Sequence, residues 1–311
     1  DANTIAGVLD FGGAKQTLAG NVQNNSGIFR NGGEVRHGEI EVDPSSWLNL
    51  NGITDFTVGE GANVYFKKYT TNTDGTRNRG QLNMYNAYLR IAGEGARFAV
   101  MNERDTQDGS KYNSYGKIGS SGGDATVEVG NGGTFAHEKR CLILGWDPGI
   151  TGAIVGDGGN VTVGEQDIFL GYEGAAVLAL TNSTLTAKSI KFGWSGKTPG
   201  KQSVKLVNST VTIGQIGMNQ ALADGSSVIF DSATIVDNHE YTALLQVLGI
   251  PYTIAEGGLT VKVANKDADD DYVSFPGTFN GEGDFILVAA GKTPREARFS
   301  GEAEKGFTGN L

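Results

Sequence analysis

The sequence predicts an all-β chain that winds into a parallel β-helix, a solenoid whose successive coils stack on one another. Three observations support this fold: two short motifs recur at nearly fixed intervals, apolar residues alternate as in strands, and helical periodicity is almost absent. Self-similarity at a period of 20–50 residues is typical of repeat architectures. We expect coils of about 22–26 residues over residues 1–236, and final irregular coils with a C-terminal cap, not an independent domain, over residues 237–311.

The first motif is a short apolar strand that ends at an Asn or Asp. Its members are separated by 26, 25, 26 and 23 residues, and they are Asn131, Asp157, Asn182, Asn208 and Asp231. A strand that leaves its sheet must bend, and Asn or Asp tolerates the left-handed backbone that such a bend often uses. Stacked amides can also hydrogen-bond from coil to coil. We therefore expect this series to have a structural role.

The residues two positions before this series are all aliphatic, and we expect them to point into the solenoid. They are Val129, Val155, Leu180, Leu206 and Ile229. Polar residues such as Glu128 and Lys205 stand between the apolar ones. This period-2 alternation is the pattern of a strand with one buried face.

The second motif is an apolar residue followed by Gly at the end of a strand. Its members are Ile118-Gly119, Leu144-Gly145, Leu170-Gly171, Phe192-Gly193 and Ile216-Gly217. An aromatic residue follows three of these pairs, namely Trp146, Tyr172 and Trp194. Such a stripe can brace a turn or bind sugar rings by apolar contact. We favour bracing.

Charge and composition exclude several classes of partner. The chain carries 25 Lys+Arg against 35 Asp+Glu, a net charge of −10, and it has no basic block, so nucleic acid and anionic membranes are poor partners. No run of about 20 apolar residues predicts a membrane span. Cys141 is the only cysteine, which excludes a disulfide within the chain; because it stands in the apolar run 141–144, we expect a small core side chain.

Two stretches carry a resemblance to a known group of proteins. The segment GVLDFGGAKQTLAG (7–20), and IFLGYEG (168–174) followed by VLALTNSTL (177–185), resemble the repeats of autotransporter-associated β-strand proteins and autotransporter passenger domains. The resemblance covers roughly residues 5–236. It implies a right-handed parallel β-helix located outside the cell or on a bacterial cell surface. Passengers of this kind include adhesins, surface scaffolds and some enzymes.

Two polar insertions interrupt the period in the first half of the chain. Equivalent turns at Gly59, Gly93 and Gly130 lie 34 and 37 residues apart, and the surplus falls in residues 67–80 and 102–116. Insertions in solenoids map to one face and often carry binding. Basic residues with tyrosines suit an acidic or neutral glycan. The predicted binding residues are Lys67, Lys68, Tyr69, Arg77, Arg79, Arg104, Asp105, Lys111, Tyr112 and Tyr115.

Signals for catalysis or metal binding are weak. The pieces Asn72-Thr73-Asp74, Asp269-Asp270-Asp271 and His37-Gly38 match parts of β-helix pectin hydrolases, but their order is wrong and they are far apart. The acidic run from Asp267 to Asp271 could bind Ca²⁺, yet it lacks the Gly turn and distal Glu of a calcium loop. We expect a solvated turn there, and neither a metal site nor a cofactor. A short helix is predicted over residues 242–249, because Gly249 and then Pro251 follow an apolar segment.

These patterns favour a non-enzymatic β-helix that is secreted or displayed on a cell surface. We expect an adhesin or scaffold whose inserted segments contact a glycan or a host or cell-surface protein. The alternative is a polysaccharide lyase or glycoside hydrolase that acts on an acidic glycan along the same flank. A third possibility is a purely structural stalk.

Overall fold

A computed structural model of the chain confirms the predicted parallel β-helix. It describes residues 8–10, 15–20, 33–44, 48–52, 56–66, 82–101, 115–120, 122–138, 140–164, 166–218, 220, 222–238, 243–264, 272–290, 296–299 and 307–310. Within these ranges the regular secondary structure consists of β-strands, and no helix occurs. The described residues accordingly contain no helix long and apolar enough to cross a membrane.

Most strands are short, as expected when each coil has several corners. In the first half of the chain they are β1 (Val8–Asp10), β2 (Lys15–Gly20), β3 (Gly33–Arg36), β4 (Gly38–Pro44), β5 (Leu48–Asn51), β6 (Phe56–Val58), β7 (Ala62–Phe66), β8 (Leu82–Tyr85), β9 (Ala87–Ala92), β10 (Arg97–Met101), β11 (Gly116–Ile118), β12 (Ala125–Gly130), β13 (Thr134–Glu138), β14 (Leu142–Leu144), β15 (Thr151–Asp157) and β16 (Asn160–Thr162).

The second half continues the same alternation of strand and corner. Its strands are β17 (Asp167–Leu170), β18 (Ala175–Thr181), β19 (Thr184–Thr186), β20 (Ser189–Phe192), β21 (Gln202–Val207), β22 (Thr210–Ile213), β23 (Ile216–Met218), β24 (Ser227–Asp231), β25 (Ala233–Asp237), β26 (Leu245–Gln246), β27 (Tyr252–Ile254), β28 (Leu259–Ala264), β29 (Tyr272–Phe275), β30 (Phe279–Gly281), β31 (Phe285–Ala290) and β32 (Glu296–Phe299).

Three long parallel sheets form the walls of the solenoid. Sheet A runs β1-β3-β6-β9-β12-β15-β18-β21-β24-β27-β30, sheet B runs β2-β4-β7-β10-β13-β16-β19-β22-β25-β28-β31, and sheet C runs β5-β8-β11-β14-β17-β20-β23-β26. A regular coil therefore contributes one strand to each sheet. Strands β29 and β32 pair with each other, and the bridge between Ala243 and Ser274 joins them to the line of sheet C.

The pairing register gives the coil length directly. In sheet B, Thr134 pairs with Asn160, Asn160 with Thr184, and Thr184 with Thr210, so these coils take 24–26 residues. Asn63 pairs with Arg97 and Arg97 with Thr134, which reproduces the predicted long intervals of 34 and 37 residues. The period and the position of the two insertions are therefore confirmed.

Columns of aliphatic side chains from successive coils fill the interior. One column in sheet A is Val127, Ile154, Leu178, Val204 and Val228, each at most 1% exposed. Stacking like side chains at the strand spacing of about 4.8 Å buries a continuous apolar core. The core extends beyond residue 236 without a break, since Tyr252, Ile254 and Val261 are all buried.

Two of the five predicted core residues face the other way. Val155 and Ile229 are partly exposed, because the pairing of Val129 with Gly156 and of Leu206 with Phe230 shifts both strands by one residue. A one-residue shift turns every side chain of a strand to the opposite face. The prediction was wrong at these two positions and right at Val129, Leu180 and Leu206.

The same one-residue shift changes which residue is left-handed at the corner between sheets A and B, where the Asn/Asp series lies. Asn131, Asn182 and Asn208 have left-handed backbones, with φ of 43°, 50° and 44°. In the coils of Asp157 and Asp231 the left-handed residue is the next one, Gly158 or Ser232. The predicted left-handed conformation is confirmed for the three asparagines. For the two aspartates the predicted conformation was wrong by one position, but their carboxylates still accept hydrogen bonds from the following coil, from Asn182 and from the amide of Gly257.

The apolar-Gly series holds for four of its five members. Gly119, Gly145, Gly171 and Gly193 have φ between 70° and 77° at the end of their sheet C strands. The fifth pair is not equivalent, because Phe192 pairs with Met218 and Ile190 pairs with Ile216. Ile216-Gly217 therefore stands two residues too early for the series.

Two local predictions were wrong. Residues 243–249 form no helix; Leu244, Leu245 and Val247 are fully buried, and the segment contains strand β26 of sheet C. Burial of this apolar segment inside a coil outweighs its local helical signal. Cys141 lies outside the main core: it is partly exposed, with its sulfur 3.8 Å from Oε1 of Gln166 in the next coil.

Candidate functional site

The two insertions are attached to the solenoid at the same corner. Residues 67–81 connect β7 to β8 and residues 102–115 connect β10 to β11, so each joins sheet B to sheet C. Because β7 pairs with β10 and β8 pairs with β11, the two segments belong to adjacent coils. Their attachment points are therefore neighbours, as the spacing predicts.

Most of the predicted binding residues lie outside the described ranges. These are Lys67, Lys68, Tyr69, Arg77, Arg79, Arg104, Asp105, Lys111 and Tyr112, and their role stays a prediction. The fragments Asn72-Thr73-Asp74 and Asp267 to Asp271 also lie outside. Tyr115, where the second insertion meets β11, is described and partly buried.

Tyr115 belongs to a group of rings on the outside of sheet C. We call this group the aromatic patch, and it consists of Tyr115, Trp146, Phe169, Tyr172 and Trp194. Tyr115 contacts Trp194 edge to face at a centroid distance of 5.1 Å and Trp146 at 6.0 Å. Trp194 also packs on Phe169 at 4.5 Å. The structure thus joins the end of the second insertion to the aromatic stripe predicted from the repeat.

The left-handed glycines of the repeat place the stripe at the surface. Trp146 and Tyr172 each follow such a glycine, and their amides donate to the carbonyls of Gly119 and Gly145 in the preceding coil, at 2.8 and 2.9 Å. A β-carbon at Gly145 would lie 2.0 Å from the carbonyl oxygen of Ala175, so that turn admits no side chain. The rings of Trp146 and Tyr172 consequently stack at 4.0 Å with 7° between their planes.

The sheet C strands at the patch carry buried apolar residues that point away from the main core. Ile143 and Phe169 are 0% and 6% exposed, although each stands between two inward-facing residues of its strand. The runs Leu142-Ile143-Leu144 and Ile168-Phe169-Leu170 break the alternation that half-buried strands show. That break is the sequence signal for an outside apolar cluster.

Two lysines cover the outer faces of the Trp146–Tyr172 stack. The Nζ of Lys117, from the preceding coil, lies 3.6 Å from the centroid of Trp146. The Nζ of Lys197, from the following coil, lies 4.8 Å from the centroid of Tyr172 and 3.2 Å from Oε1 of Glu173. Cations favour the face of an aromatic ring. With these faces covered, a ligand meets the ring edges, the indole N–H groups and the phenol hydroxyls.

Burial and one hydrogen bond shift the pKa values of Tyr115 and of the two lysines at the patch. It raises the pKa of Tyr115 to about 12, with smaller contributions from Cys141 and Tyr172, so this phenol stays neutral at physiological pH. Burial lowers the pKa of Lys117, against a small opposite effect of Asp147. The pKa of Lys197 is raised, first by its hydrogen bond to Glu173. The patch therefore offers hydrogen-bond donors and apolar edges, and Tyr115 is a poor general base.

A buried histidine lies beneath the base of the second insertion. His137 on β13 is 0% exposed; its Nδ1 lies 3.1 Å from the carbonyl oxygen of Arg140, and its Nε2 has no hydrogen-bond partner. Burial lowers its pKa to about 4, so the ring is neutral. Within the described ranges, no three His, Cys, Asp or Glu residues are grouped as metal ligands would be.

Comparisons of this chain with models of known protein families, with curated proteins and with solved structures gave no match.

Proposed function

We propose that this β-helix is an adhesin or scaffold that is secreted or displayed on a cell surface and binds glycans along the outer face of sheet C, starting from its corner with sheet B. Its contact surface consists of the inserted segments 67–80 and 102–116 together with the aromatic patch. The supporting observation is the contact of Tyr115 with Trp146 and Trp194, which connects the second insertion to partly exposed rings.

The chemistry of the patch suits a glycan ligand. Sugars present apolar C–H groups and hydroxyls together, and Trp and Tyr side chains offer an apolar body with a polar tip. Lys117 and Lys197 add donors at either end of the stack. The neutral phenol of Tyr115 favours binding over proton transfer.

Titration with soluble polysaccharides tests the proposal. Two of the three tryptophans lie in the patch, so intrinsic fluorescence reports on it directly. We expect a panel of neutral and acidic polysaccharides to change the emission of the parent chain, and Trp146→Ala or Trp194→Ala to weaken binding at least tenfold. Tyr88→Ala, which removes an outward ring from sheet A, is the matched control and should bind normally.

Two further results decide the location and the class of the activity. Replacing residues 67–80 and 103–113 by short Gly-Ser turns should abolish binding; undiminished binding would refute the proposed surface. New reducing or unsaturated ends after prolonged incubation would instead support the lyase or hydrolase alternative. Circular dichroism and melting of each variant establish that the fold is retained.

A further inference from the structure

The outward face of sheet B carries a second repeating surface, on a different wall of the solenoid. Its sequence signal is the five-residue motif NSTLT at 182–186, repeated as NSTVT at 208–212. In each copy the middle apolar residue, Leu185 or Val211, is buried, and the threonines on either side point outward. Strands with this motif therefore present two threonines each to the solvent.

In-register pairing turns these threonines into columns. We call the resulting surface the threonine face. Its first column is Thr134, Asn160, Thr184, Thr210, Thr234 and Thr260, and its second column is Ala136, Thr162, Thr186, Thr212 and Val236. Neighbours within a column are about 4.8 Å apart, and the two columns are about 6.6 Å apart, twice the rise of a strand residue.

The corner beside the face repeats at the same interval and holds the array in place. Asn208 donates to Oδ1 of Asn182 at 2.7 Å, and Asn182 donates to Oδ1 of Asp157 at 3.0 Å. Within the first column the hydroxyl of Thr184 donates to Oδ1 of Asn160 at 2.7 Å. Side-chain ladders of this kind stabilise regular, weakly twisted sheets.

The composition of the face excludes the usual partners of a protein surface. Over five coils, from Thr134 to Val236, its two columns contain no charged and no aromatic residue, in a chain of net charge −10. Charged residues bound this stretch at both ends, Arg97 before Thr134 and Lys262 after Val236. Sheet A shows the contrast, because its outward positions in the same coils include Glu128 and Lys205. Protein interfaces are rich in Tyr, Trp and Arg, and sugar platforms use aromatic rings. An uncharged array of methyl and hydroxyl groups is complementary to an uncharged, ordered lattice.

We propose that the threonine face binds ice. The spacing of about 4.8 Å within a column is close to one repeat of water oxygens on the prism plane of hexagonal ice. Each threonine offers a methyl group that favours ordered water around it and a hydroxyl that can take a place in the water network. A stacked solenoid fixes both spacings at once, which a flexible surface cannot do. This activity is independent of the proposed glycan contact, which uses the outer face of sheet C and other residues.

Ice growth in the presence of the full chain tests the proposal. We expect the protein to be incorporated into a slowly growing ice front, to shape single ice crystals and to slow recrystallisation at micromolar concentration. Thr210→Tyr and Thr186→Tyr, which disturb the array, should reduce recrystallisation inhibition at least tenfold. Lys205→Tyr places the same ring in the same coil on sheet A and should leave it unchanged.

Three results would overturn the proposal. The first is absence of any effect of the parent chain on ice. The second is equal activity of Thr210→Tyr and Lys205→Tyr variants that melt at the same temperature. The third is a parent chain that has no effect on ice but binds microcrystalline cellulose, with this binding lost in Thr210→Tyr. That result would assign the face to a crystalline polysaccharide. Thr186→Val, which keeps the shape and removes one hydroxyl, provides a variant expected to fold normally and to retain partial activity.

Discussion

At the scale of single residues, the tightest constraint beneath the insertions is the contact between Gly116 and His137. A β-carbon at position 116 would lie 2.3 Å from Nε2 of the histidine, and the ring is fully buried. The ring cannot move without displacing core side chains, since interiors are close-packed. Packing therefore requires glycine at position 116. The backbone conformation does not, because φ there is not positive and any residue can adopt it.

We predict that Gly116→Ala destabilises the fold by about 1–3 kcal/mol, the usual cost of overpacking. Gly130→Ala is the matched control, because its nearest neighbour would be the carbonyl oxygen of Asp157 at 3.4 Å, an ordinary contact. Urea unfolding monitored by circular dichroism measures both. Equal stability of the two variants would show that the His137 ring yields to the methyl group.

We also predict that His137 makes stability depend on pH. Its pKa is about 4 in the folded chain and 6.5 ordinarily, so between these values the unfolded chain binds a proton that the folded chain does not. The free energy of unfolding is therefore unaffected by this group above pH 6.5. It falls as the pH is lowered towards 4, by at most about 3 kcal/mol. Urea unfolding at pH 7 and pH 4 should show a smaller difference for His137→Val than for the parent; identical differences would contradict the prediction.

At the scale of elements, the corner between sheets A and B depends on both backbone conformation and side-chain ladders. Asn182 has φ of 50° and accepts from Asn208 while donating to Asp157. Alanine at this position would keep neither the easy left-handed conformation nor the hydrogen bonds. Glycine would keep the conformation alone.

We therefore predict that Asn182→Ala lowers the free energy of unfolding by about 1–2 kcal/mol and Asn182→Gly by about half as much. The order of the two variants, measured by urea denaturation, is the test. Equal losses for the two variants would mean that the ladder dominates and that the positive φ costs little.

At the scale of the whole molecule, each coil is stabilised by its immediate neighbours. Leu178 in β18 is fully buried, and its strand pairs only with β15 and β21. Stability in such a solenoid is close to a sum of coil and interface contributions. A cavity in one coil should therefore destabilise mainly that coil and its immediate neighbours.

We predict that Leu178→Ala costs about 2–5 kcal/mol and raises hydrogen exchange most in β15, β18 and β21. Strands four coils away, such as β6 in the first half, should exchange nearly as in the parent chain. Hydrogen exchange measured by mass spectrometry distinguishes a local effect from a global one. A uniform rise along the chain would show that the solenoid opens as one cooperative unit.

Much of this architecture can be predicted from short stretches of the sequence. The period, the asparagine corners and the two insertions depend on residues close together in the chain, so their spacing predicts them. Asn131, Asn182 and Asn208 took the predicted left-handed conformation, and the Asn63–Arg97–Thr134 register followed the predicted intervals.

Tertiary structure decided which face of a strand is buried and which distant residues meet. The Asn/Asp motif predicts Val155 and Ile229 in the core, but it tolerates a shift of one residue, and only pairing with neighbouring coils fixes that shift. The contact of Tyr115 with Trp194 joins residues from coils that are not adjacent, because their side chains are large. Trp194 packs on Phe169 at the same place. By itself the sequence determined that the chain is a parallel β-helix and where its period breaks. Packing between coils decided the inward faces and assembled the aromatic patch, because a period-2 pattern fixes alternation but not its phase.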